Sequence, residues 1–239
     1  MLLEKWLLSQ NVPCAWFVNL FANRRKKQPA RFACVGLSMA SGIRFGPISP
    51  NAVHLCVDMQ RMFAEDTPWQ TPWLPRVLPV VVRLCERHAP HTVFTRFIPV
   101  DRPGEGIGSW RRYWEKWATM TLVHLGEDKV ELLPELAGFI PPARVVDKFA
   151  YSPWVGTNLA TDLRDNQVDT LVVSGAETDM CVLATILGAV DLGFRVIVVS
   201  DALCSSSDQS HDDLLNLYHE RFGQQIETAE CHDVLEAWL

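Results

Sequence analysis

Short apolar runs alternate with amphipathic stretches along this chain from about residue 51 onward. Runs of about four to eight apolar and β-branched residues that end at a polar or turn residue are typical of buried β-strands. Six segments have this pattern: AVHLCVDMQ, HTVFTRFI, ARVVDK, DTLVVSG, FRVIVVSDA and the weaker QIETAE. Between them, apolar residues recur every three to four positions, which predicts helices: PWLPRVLPVVVRLCERH, WRRYWEKWATM, TNLATDLRDNQ, TDMCVLATILGAVDLG, SDQSHDDLLNLYHERFG and, last, HDVLEAWL.

The alternation of strands and helices predicts the fold class. Because helices separate successive strands, the strands are expected to run parallel, with helices covering both faces of the sheet. Right-handed crossovers then give a doubly wound, three-layer, Rossmann-like α/β fold of about six strands. In the common strand order 3-2-1-4-5, the first and fourth strands are neighbours. A ligand is expected there, outside the carboxyl ends of the strands.

The pattern also predicts how the chain is organised. Residues 49–239 form one domain, and residues 102–142 form an irregular insertion into it that is long for a connection. Residues 1–48 are expected to be a poorly structured extension. The extension is apolar first and basic afterwards, the reverse of a secretory signal, and polar residues interrupt any candidate membrane span. We therefore predict neither secretion nor a membrane anchor.

Charge and cysteine content exclude several classes of function. The net charge of -6 disfavours binding to a nucleic-acid backbone. The seven cysteines are odd in number and contain no CxxC pair, so neither a disulfide framework nor a zinc ribbon is predicted. A reducing cytoplasmic location fits this usage best.

Three residues at the predicted strand ends carry the candidate chemistry. Asp58 ends the first strand, Lys148 ends the third, and Cys181 follows the fourth in the first turn of a helix. The carboxylate is positioned to accept the thiol proton, and the lysine and the helix N-terminus favour a thiolate. This combination suits covalent acyl transfer. Each residue taken alone also has a purely structural interpretation. Asp58 fits a helix or turn cap, Lys148 a surface charge, and Cys181 a core residue.

The segments VDMQRMF, VVDKFAYSPWVGTNL and VVSGAETDMCVLATILGAVDLGFRVIVVSDA contain these residues. They resemble the signature regions of the isochorismatase-like cysteine hydrolase superfamily, which includes nicotinamidases, N-carbamoylsarcosine amidase and ureidoacrylate and biuret hydrolases. The resemblance implies that Asp58 is the general base, Lys148 a positioning and polarising group, and Cys181 the nucleophile. It also implies a cis peptide bond between Ala176 and Glu177, and an oxyanion hole made by the backbone N–H groups of Glu177 and Cys181.

The departures from the family pattern refine the predicted activity. Nicotinamidases carry an Asp-x-His pair and a further His as a metal site, and the stretch TRFIPVDRPGEG lacks such a pair. We therefore predict no metal and no cofactor. The cysteine favours hydrolysis of a C–N bond in a small amide, ureido or carbamoyl compound. Two alternatives remain open, namely a vinyl-ether hydrolase that uses Asp58 without the thiol, and a non-catalytic binding protein.

A last set of predictions concerns the pocket. We expect substrate contacts from residues near the strand ends: Gln60, Phe63, Arg96, Tyr151, Trp154 and Glu177. The insertion places four aromatic residues at helical spacing, mostly on one face: Trp110, Tyr113, Trp114 and Trp117. This stripe either packs on the domain or on another subunit, or forms a lid over the crevice. A homo-oligomer, a dimer or a tetramer, is expected from the family resemblance and the aromatic insertion.

Overall fold

The computed structural model describes residues 42–239, which contain one parallel sheet of six strands. The strands are β1 (Val53–Val57), β2 (Thr92–Phe97), β3 (Arg144–Lys148), β4 (Thr170–Ala176), β5 (Arg195–Cys204) and β6 (Ile226–Ala229). Their order across the sheet is β3-β2-β1-β4-β5-β6, and every neighbouring pair is parallel. The predicted doubly wound α/β class and the adjacency of the first and fourth strands are therefore confirmed.

Nine α-helical segments connect and cover the strands in the described part of the chain. They are α1 (Arg61–Ala64), α2 (Leu74–His88), α3 (Ser109–Lys116), α4 (Leu122–Leu125), α5 (Pro134–Ala137), α6 (Leu159–Asp165), α7 (Leu183–Asp191), α8 (Asp208–Arg221) and α9 (Cys231–Ala237). Shorter 3-10 turns span Ala89–His91, Ala118–Met120 and Glu127–Val130, and a π-helical turn spans Thr178–Val182. Among the described residues, no helix combines the length and apolarity needed to cross a membrane.

Two apolar layers bury the sheet on its opposite faces. Helices α2 and α9 pack on one face, together with the insertion, through residues such as Leu84 and Val234. Helices α6, α7 and α8 pack on the other face, through residues such as Leu163 and Ile186. Successive residues of β1 contribute to alternate layers, because neighbouring side chains of a strand point to opposite faces. This double burial explains why the strands read as continuous apolar runs.

The amino-terminal limit of the domain lies earlier than the predicted boundary at residue 49. The backbone N–H of Ile48 donates to the carbonyl oxygen of Ala237 over 2.8 Å, and the Ile48 side chain is buried. Further upstream, the backbone N–H of Arg44 donates to a carboxylate oxygen of Glu227 over 2.6 Å. Residues 42–48 therefore pack on the domain, and the rest of the predicted extension lies outside the described residues.

The aromatic stripe of the insertion packs on its own domain. Trp114 of α3 is only 2% exposed and stacks on Phe97 of β2 with ring centroids 5.9 Å apart. Trp69 lies within 6.0 Å of the rings of Tyr113 and Trp114 and 5.8 Å from Trp117. The insertion thus continues the apolar layer at the carboxyl end of β2, beside the predicted ligand crevice.

A buried histidine is expected to make the fold sensitive to acid. His54 of β1 is fully buried, with Nε2 2.7 Å from the Ser174 hydroxyl and Nδ1 3.2 Å from the Thr92 hydroxyl. Burial, and secondarily the charge of His88, lower the pKa of His54 from 6.5 to about 3. Between these two pKa values the unfolded chain binds a proton that the folded chain does not, so stability falls as the pH falls.

We expect His54 to contribute a slope of about 1.4 kcal/mol per pH unit to the free energy of unfolding between pH 6.5 and 3. Urea denaturation across this range, compared between the wild type and His54→Asn, isolates the contribution because other acidic groups remain in both proteins. The variant should be less stable near neutral pH, yet its stability should fall less steeply in acid. Equal slopes in the two proteins would rule out the proposed role of His54.

Candidate active site

Three buried ionisable side chains meet at the carboxyl edge of the sheet. Asp58 directly follows β1, Lys148 is the last residue of β3, and Cys181 lies in the π-helical turn after β4. The register pairs Val57 with Gly175 across β1 and β4, which brings the chain segments that carry Asp58 and Cys181 side by side. The structure therefore brings together the three residues predicted from the strand ends.

Lys148 bridges the other two side chains. Its Nζ lies 2.7 Å from Oδ2 of Asp58 and 3.3 Å from Sγ of Cys181, and it also donates to the carbonyl oxygen of Ala150 over 3.1 Å. Asp58 and Lys148 have no exposed surface, and Cys181 is 5% exposed. A buried charge is tolerated only when it is paired, so these contacts explain how an ammonium and a carboxylate persist beneath the pocket.

A threonine on the neighbouring strand orients the carboxylate, and the sequence analysis missed it. The Thr95 hydroxyl donates to Oδ1 of Asp58 over 2.6 Å, and the Asp58 backbone N–H donates to the Thr95 carbonyl and hydroxyl oxygens, each over 3.2 Å. Asp58 itself has a φ of 49°, a left-handed conformation that few residues other than glycine adopt. Thr95 pairs with Val57 across β1 and β2, so only the strand register identifies it.

The surroundings of Cys181 favour its protonated thiol over the thiolate. Burial first, and then the adjacent Asp58 carboxylate, raise the pKa of Cys181 well above its ordinary value, and Lys148 only partly opposes them. Burial would lower the pKa of the Lys148 ammonium, but Asp58 and Cys181 outweigh burial and raise it. The expected help from Lys148 therefore does not suffice to make a standing thiolate, and the proton of Cys181 has to leave during attack.

Hydrogen bonds to the next loop hold the turn that carries Cys181. The bond between Ala176 and Glu177 is cis, as the family resemblance implied. Within the turn, the backbone N–H of Val182 donates to the Glu177 carbonyl oxygen over 3.1 Å. The Asp179 carboxylate accepts from the hydroxyls of Ser205 and Ser210 over 2.5 and 2.6 Å. The turn is thus tied to the segment between β5 and α8.

The thiol opens onto a small aromatic pocket. Its volume is about 40 Å³, which leaves room for about three water-sized groups. Eight residues line it: Phe63, Trp69, Phe97, Tyr113, Tyr151, Glu177, Met180 and Cys181. The structure thus brings the predicted contact residues Phe63, Tyr151 and Glu177 to the pocket. Tyr113 comes from the insertion, so that part of the aromatic stripe also forms a wall of the site.

Gln60 does not line the pocket, and the expectation that it contacts substrate is corrected. Its Nε2 donates to the carbonyl oxygens of Phe97 and Val130 over 3.1 and 2.6 Å, and its Oε1 accepts from the Phe97 N–H over 2.8 Å. The side chain is fully buried. The Gln60 amide is therefore fully hydrogen-bonded to backbone groups of β2 and of the insertion. The side chain joins these two segments to the end of β1.

The expectation that Arg96 contacts substrate is also corrected, because its guanidinium binds two carboxylates of the protein itself. Nε and Nη2 donate to the two oxygens of Asp147 over 2.7 and 2.9 Å, and Nη1 donates to Glu131 over 2.8 Å. Arg96 therefore links β2, β3 and the insertion at the surface and lies outside the pocket lining. Arg111 and Arg112 of the insertion are exposed to solvent.

The expectation that Trp154 contacts substrate is corrected as well. Its indole Nε1 donates to the carbonyl oxygen of Thr185 over 2.9 Å, and its ring stacks on Phe194 with centroids 5.9 Å apart. The ring lies directly against Gly188 of α7, where a Cβ atom would come within 2.2 Å of it. Trp154 therefore packs against α7 in the apolar layer on that face and lies outside the pocket lining.

A second cavity of about 310 Å³ lies beside the segment after β5. It is lined by Trp73, Leu203, Cys204, Ser205, Asp208, His211 and Asp212. The same loop borders both cavities. Ser205 lines the second cavity, and the backbone N–H of the next residue, Ser206, donates over 3.1 Å to Oε1 of Glu177, which lines the first. Across residues 42–239, no group of three or more His, Cys, Asp and Glu side chains is arranged to hold a metal ion.

The fold and the site define a doubly wound α/β protein with a thiol, a carboxylate and an ammonium buried at the point where the strand order reverses. Comparison with known families identifies the group to which it belongs. Residues 52–230 match the family model described as the isochorismatase domain, and the chain belongs to the isochorismatase family. The match includes all three buried residues of the site.

Individual relatives are distant. Nicotinamidase 3 of Arabidopsis thaliana is 28% identical over 173 residues, which are 72% of this chain and 82% of that protein. An uncharacterized isochorismatase family protein of Bacillus subtilis, PncA, is 34% identical over 86 residues, 36% of this chain and 47% of that protein.

Solved structures share the fold. A cysteine hydrolase from Pseudomonas syringae pv. phaseolicola 1448A superposes with a TM-score of 0.69 at 24% identity, over 83% of this chain and 99% of that chain. N-carbamoylsarcosine amidase from Thermoplasma acidophilum superposes with a TM-score of 0.59 at 25% identity, over 75% of this chain and 96% of that chain.

Proposed function

We propose that this protein is a cysteine-dependent hydrolase that cleaves the C–N bond of a small amide, ureido or carbamoyl compound. The observation that carries the proposal is the contact of Lys148 with both Asp58 and Cys181 in a buried cluster beneath an aromatic pocket. A thiol, a base and a positioning cation in direct contact are the parts that covalent acyl transfer needs. The names of the amide-cleaving relatives support the same reaction class.

The first half of the reaction forms a thioester. Asp58 accepts the thiol proton of Cys181 while Sγ attacks the substrate carbonyl carbon, which becomes tetrahedral. The backbone N–H groups of Glu177 and Cys181 stabilise the oxyanion, as the family resemblance implies. Asp58 then returns the proton to the leaving nitrogen, the C–N bond breaks, and ammonia or an amine departs. A protonated resting thiol needs such a base, because it has no standing thiolate to attack with.

The second half releases the acyl group. Asp58 takes a proton from a water molecule, whose oxygen attacks the thioester carbon, and the C–S bond then breaks. The proton returns to the sulfur, so that one water is consumed and the thiol is restored. Throughout, the Lys148 ammonium keeps the Asp58 carboxylate in place and stabilises negative charge on sulfur as it develops.

Replacing the nucleophile tests the proposal. We expect Cys181→Ala to lower ammonia release from active members of a panel of small amides and ureas by about 10³-fold or more, because no other group forms the thioester. Cys231→Ala is the matched control, since Cys231 is a buried thiol of α9 outside the site. It should retain activity within about threefold.

The alternatives predict other outcomes. A vinyl-ether hydrolase that uses Asp58 without the thiol would hydrolyse a vinyl ether almost as well in Cys181→Ala as in the wild type. A non-catalytic binding protein would release no ammonia from the panel in either form. Either result would overturn the cysteine mechanism. The absence of a metal or cofactor, the homo-oligomer and the cytoplasmic location stay predictions.

A further inference from the structure

Glu177 is the carboxyl-bearing residue among the described residues that line the aromatic pocket. Glu177 lines the same cavity as Cys181, together with the rings of Trp69, Tyr113 and Tyr151. The backbone N–H of Ser206 donates to Oε1 of Glu177, which fixes the direction of this carboxyl group. Because Glu177 follows β4 and precedes the turn of Cys181, its position relative to the thiol is set by that turn.

The charges around this carboxyl group are negative. Burial raises the pKa of Glu177, hydrogen bonds from Ser206 oppose this shift in part, and the carboxylate of Asp179 adds to it. Asp208 and Asp212 line the neighbouring cavity, and among residues 42–239 no lysine or arginine lines either cavity. Lys148, beneath the thiol, is paired with Asp58. Because none of the described lining residues supplies a cation that favours its ionised form, Glu177 gains most from an ammonium ligand, which would hold it as a carboxylate.

Aromatic rings and a carboxylate together recognise a particular ligand chemistry. The negative faces of aromatic rings attract ammonium groups, and a carboxylate adds a direct ionic contact. A substrate carboxylate would face Glu177 without a cation to receive it. We propose that Glu177 and the aromatic walls make this site selective for small amides that carry an ammonium group and against those that carry a carboxylate. This inference rests on the proposed function, because it names the substrate class of the same site.

The small volume of the pocket sets the size of the substrate. About 40 Å³ beside Cys181 admits a carbonyl group and few other atoms. Met180 is 36% exposed and lines the same pocket, so the pocket reaches the surface beside Glu177. The ammonium group is therefore expected one or two bonds from the scissile carbonyl, where it remains within reach of Glu177.

Hydrolysis of matched amides tests the selectivity. Glycinamide, propionamide and malonamate carry a positive, no and a negative charge, respectively. Malonamate has two more non-hydrogen atoms than the other two, so the comparison of each substrate between wild type and Glu177→Gln separates charge from size. We expect wild-type kcat/KM to fall in that order. Glu177→Gln should lower the ratio of the glycinamide kcat/KM to the malonamate kcat/KM by about 10- to 100-fold. The propionamide value measures any loss that is common to all three substrates. Glu220→Gln makes the same charge change on the exposed face of α8 and should leave all three values near those of the wild type.

A second measurement separates this inference from the proposed function, because it needs no turnover. Bromoethylammonium, iodoacetamide and bromoacetate alkylate a thiol and differ in charge, and peptide mass spectrometry reports modification at Cys181. Glu177→Gln should lower the rate ratio of the cationic to the anionic reagent by about 10-fold or more. If this ratio falls but no amide is hydrolysed, the proposed function fails and the charge selectivity stands.

Three results would overturn the charge selectivity itself. The first is a wild-type preference for malonamate over glycinamide. The second is an unchanged rate ratio of the charged reagents in Glu177→Gln. The third is a Cys181 that none of the reagents reaches, because a pocket closed to these small molecules cannot select among substrates of similar size.

Discussion

Replacing Asp58 with asparagine is expected to lower kcat/KM for amide hydrolysis by about 10³- to 10⁵-fold. Burial and the Asp58 charge raise the pKa of the Cys181 thiol and so favour its protonated form. Attack therefore requires a base in contact with the cluster, and an asparagine amide cannot accept the proton. Steady-state ammonia release from the best amide of the panel measures the effect.

The same substitution is expected to destabilise the fold, which has to be separated from the loss of chemistry. Lys148 is fully buried and lies 2.7 Å from the Asp58 carboxylate. Removing one partner leaves an uncompensated buried charge, which costs about 3–5 kcal/mol. The double variant Asp58→Asn with Lys148→Met removes both charges and should recover much of this stability, as measured by urea denaturation, without recovering activity.

These variants distinguish chemistry from folding. If the double variant regained both stability and hydrolysis, Asp58 would be a structural partner of Lys148 and not the base. An Asp58→Asn protein that folds normally and hydrolyses amides at wild-type rates would contradict the role of the pair in both catalysis and stability.

Replacing Gly175 with alanine is expected to destabilise the protein by more than about 4 kcal/mol, enough to prevent accumulation of folded protein. Gly175 of β4 has a φ of 115°, which an alanine adopts only with strain. A Cβ atom there would lie 2.1 Å from the carbonyl oxygen and 2.7 Å from the nitrogen of Val57. Since these are backbone atoms of the adjacent strand, β1 and β4 would have to separate beside the active site.

Gly193 offers a matched control for this substitution. It also has a positive φ, 87°, but a Cβ atom there meets nothing within 4 Å. Gly193→Ala should therefore lower the free energy of unfolding by about 1–3 kcal/mol, which is the cost of the backbone strain alone. Denaturation midpoints and the yield of folded protein compare the two variants. Equal destabilisation would show that the close approach of β1 and β4 contributes little.

The positions of Asp58, Lys148 and Cys181 were predictable because parallel strands end at one edge of a sheet. Apolar runs locate the strands, and a polar residue at the end of each run is then placed at the shared edge. No detail of side-chain packing enters this inference. The same reasoning predicted the order of the strands, which the structure confirms, and a ligand crevice at their carboxyl ends, which stays a prediction.

The substrate contacts were less predictable because nearness to a strand end does not determine a side chain's partners. Gln60 and Arg96 lie near the ends of β1 and β2 as expected. The Gln60 amide nevertheless donates its hydrogen bonds to backbone carbonyl oxygens, and the Arg96 guanidinium donates to two carboxylates of the protein. Trp154 turns toward α7 because Gly188 leaves space for its ring. These outcomes depend on residues far away in the chain.

By itself the sequence determined the doubly wound sheet and the three residues at its carboxyl edge, because the periodicity of apolar residues is a local property of the chain. Only the tertiary structure decided that Thr95 orients Asp58, that burial and Asp58 raise the pKa of the Cys181 thiol, and that Glu177 lines the pocket. Each of these depends on strand register, burial or the packing of the insertion. Such properties arise between segments that are distant in the chain, and no local pattern encodes them.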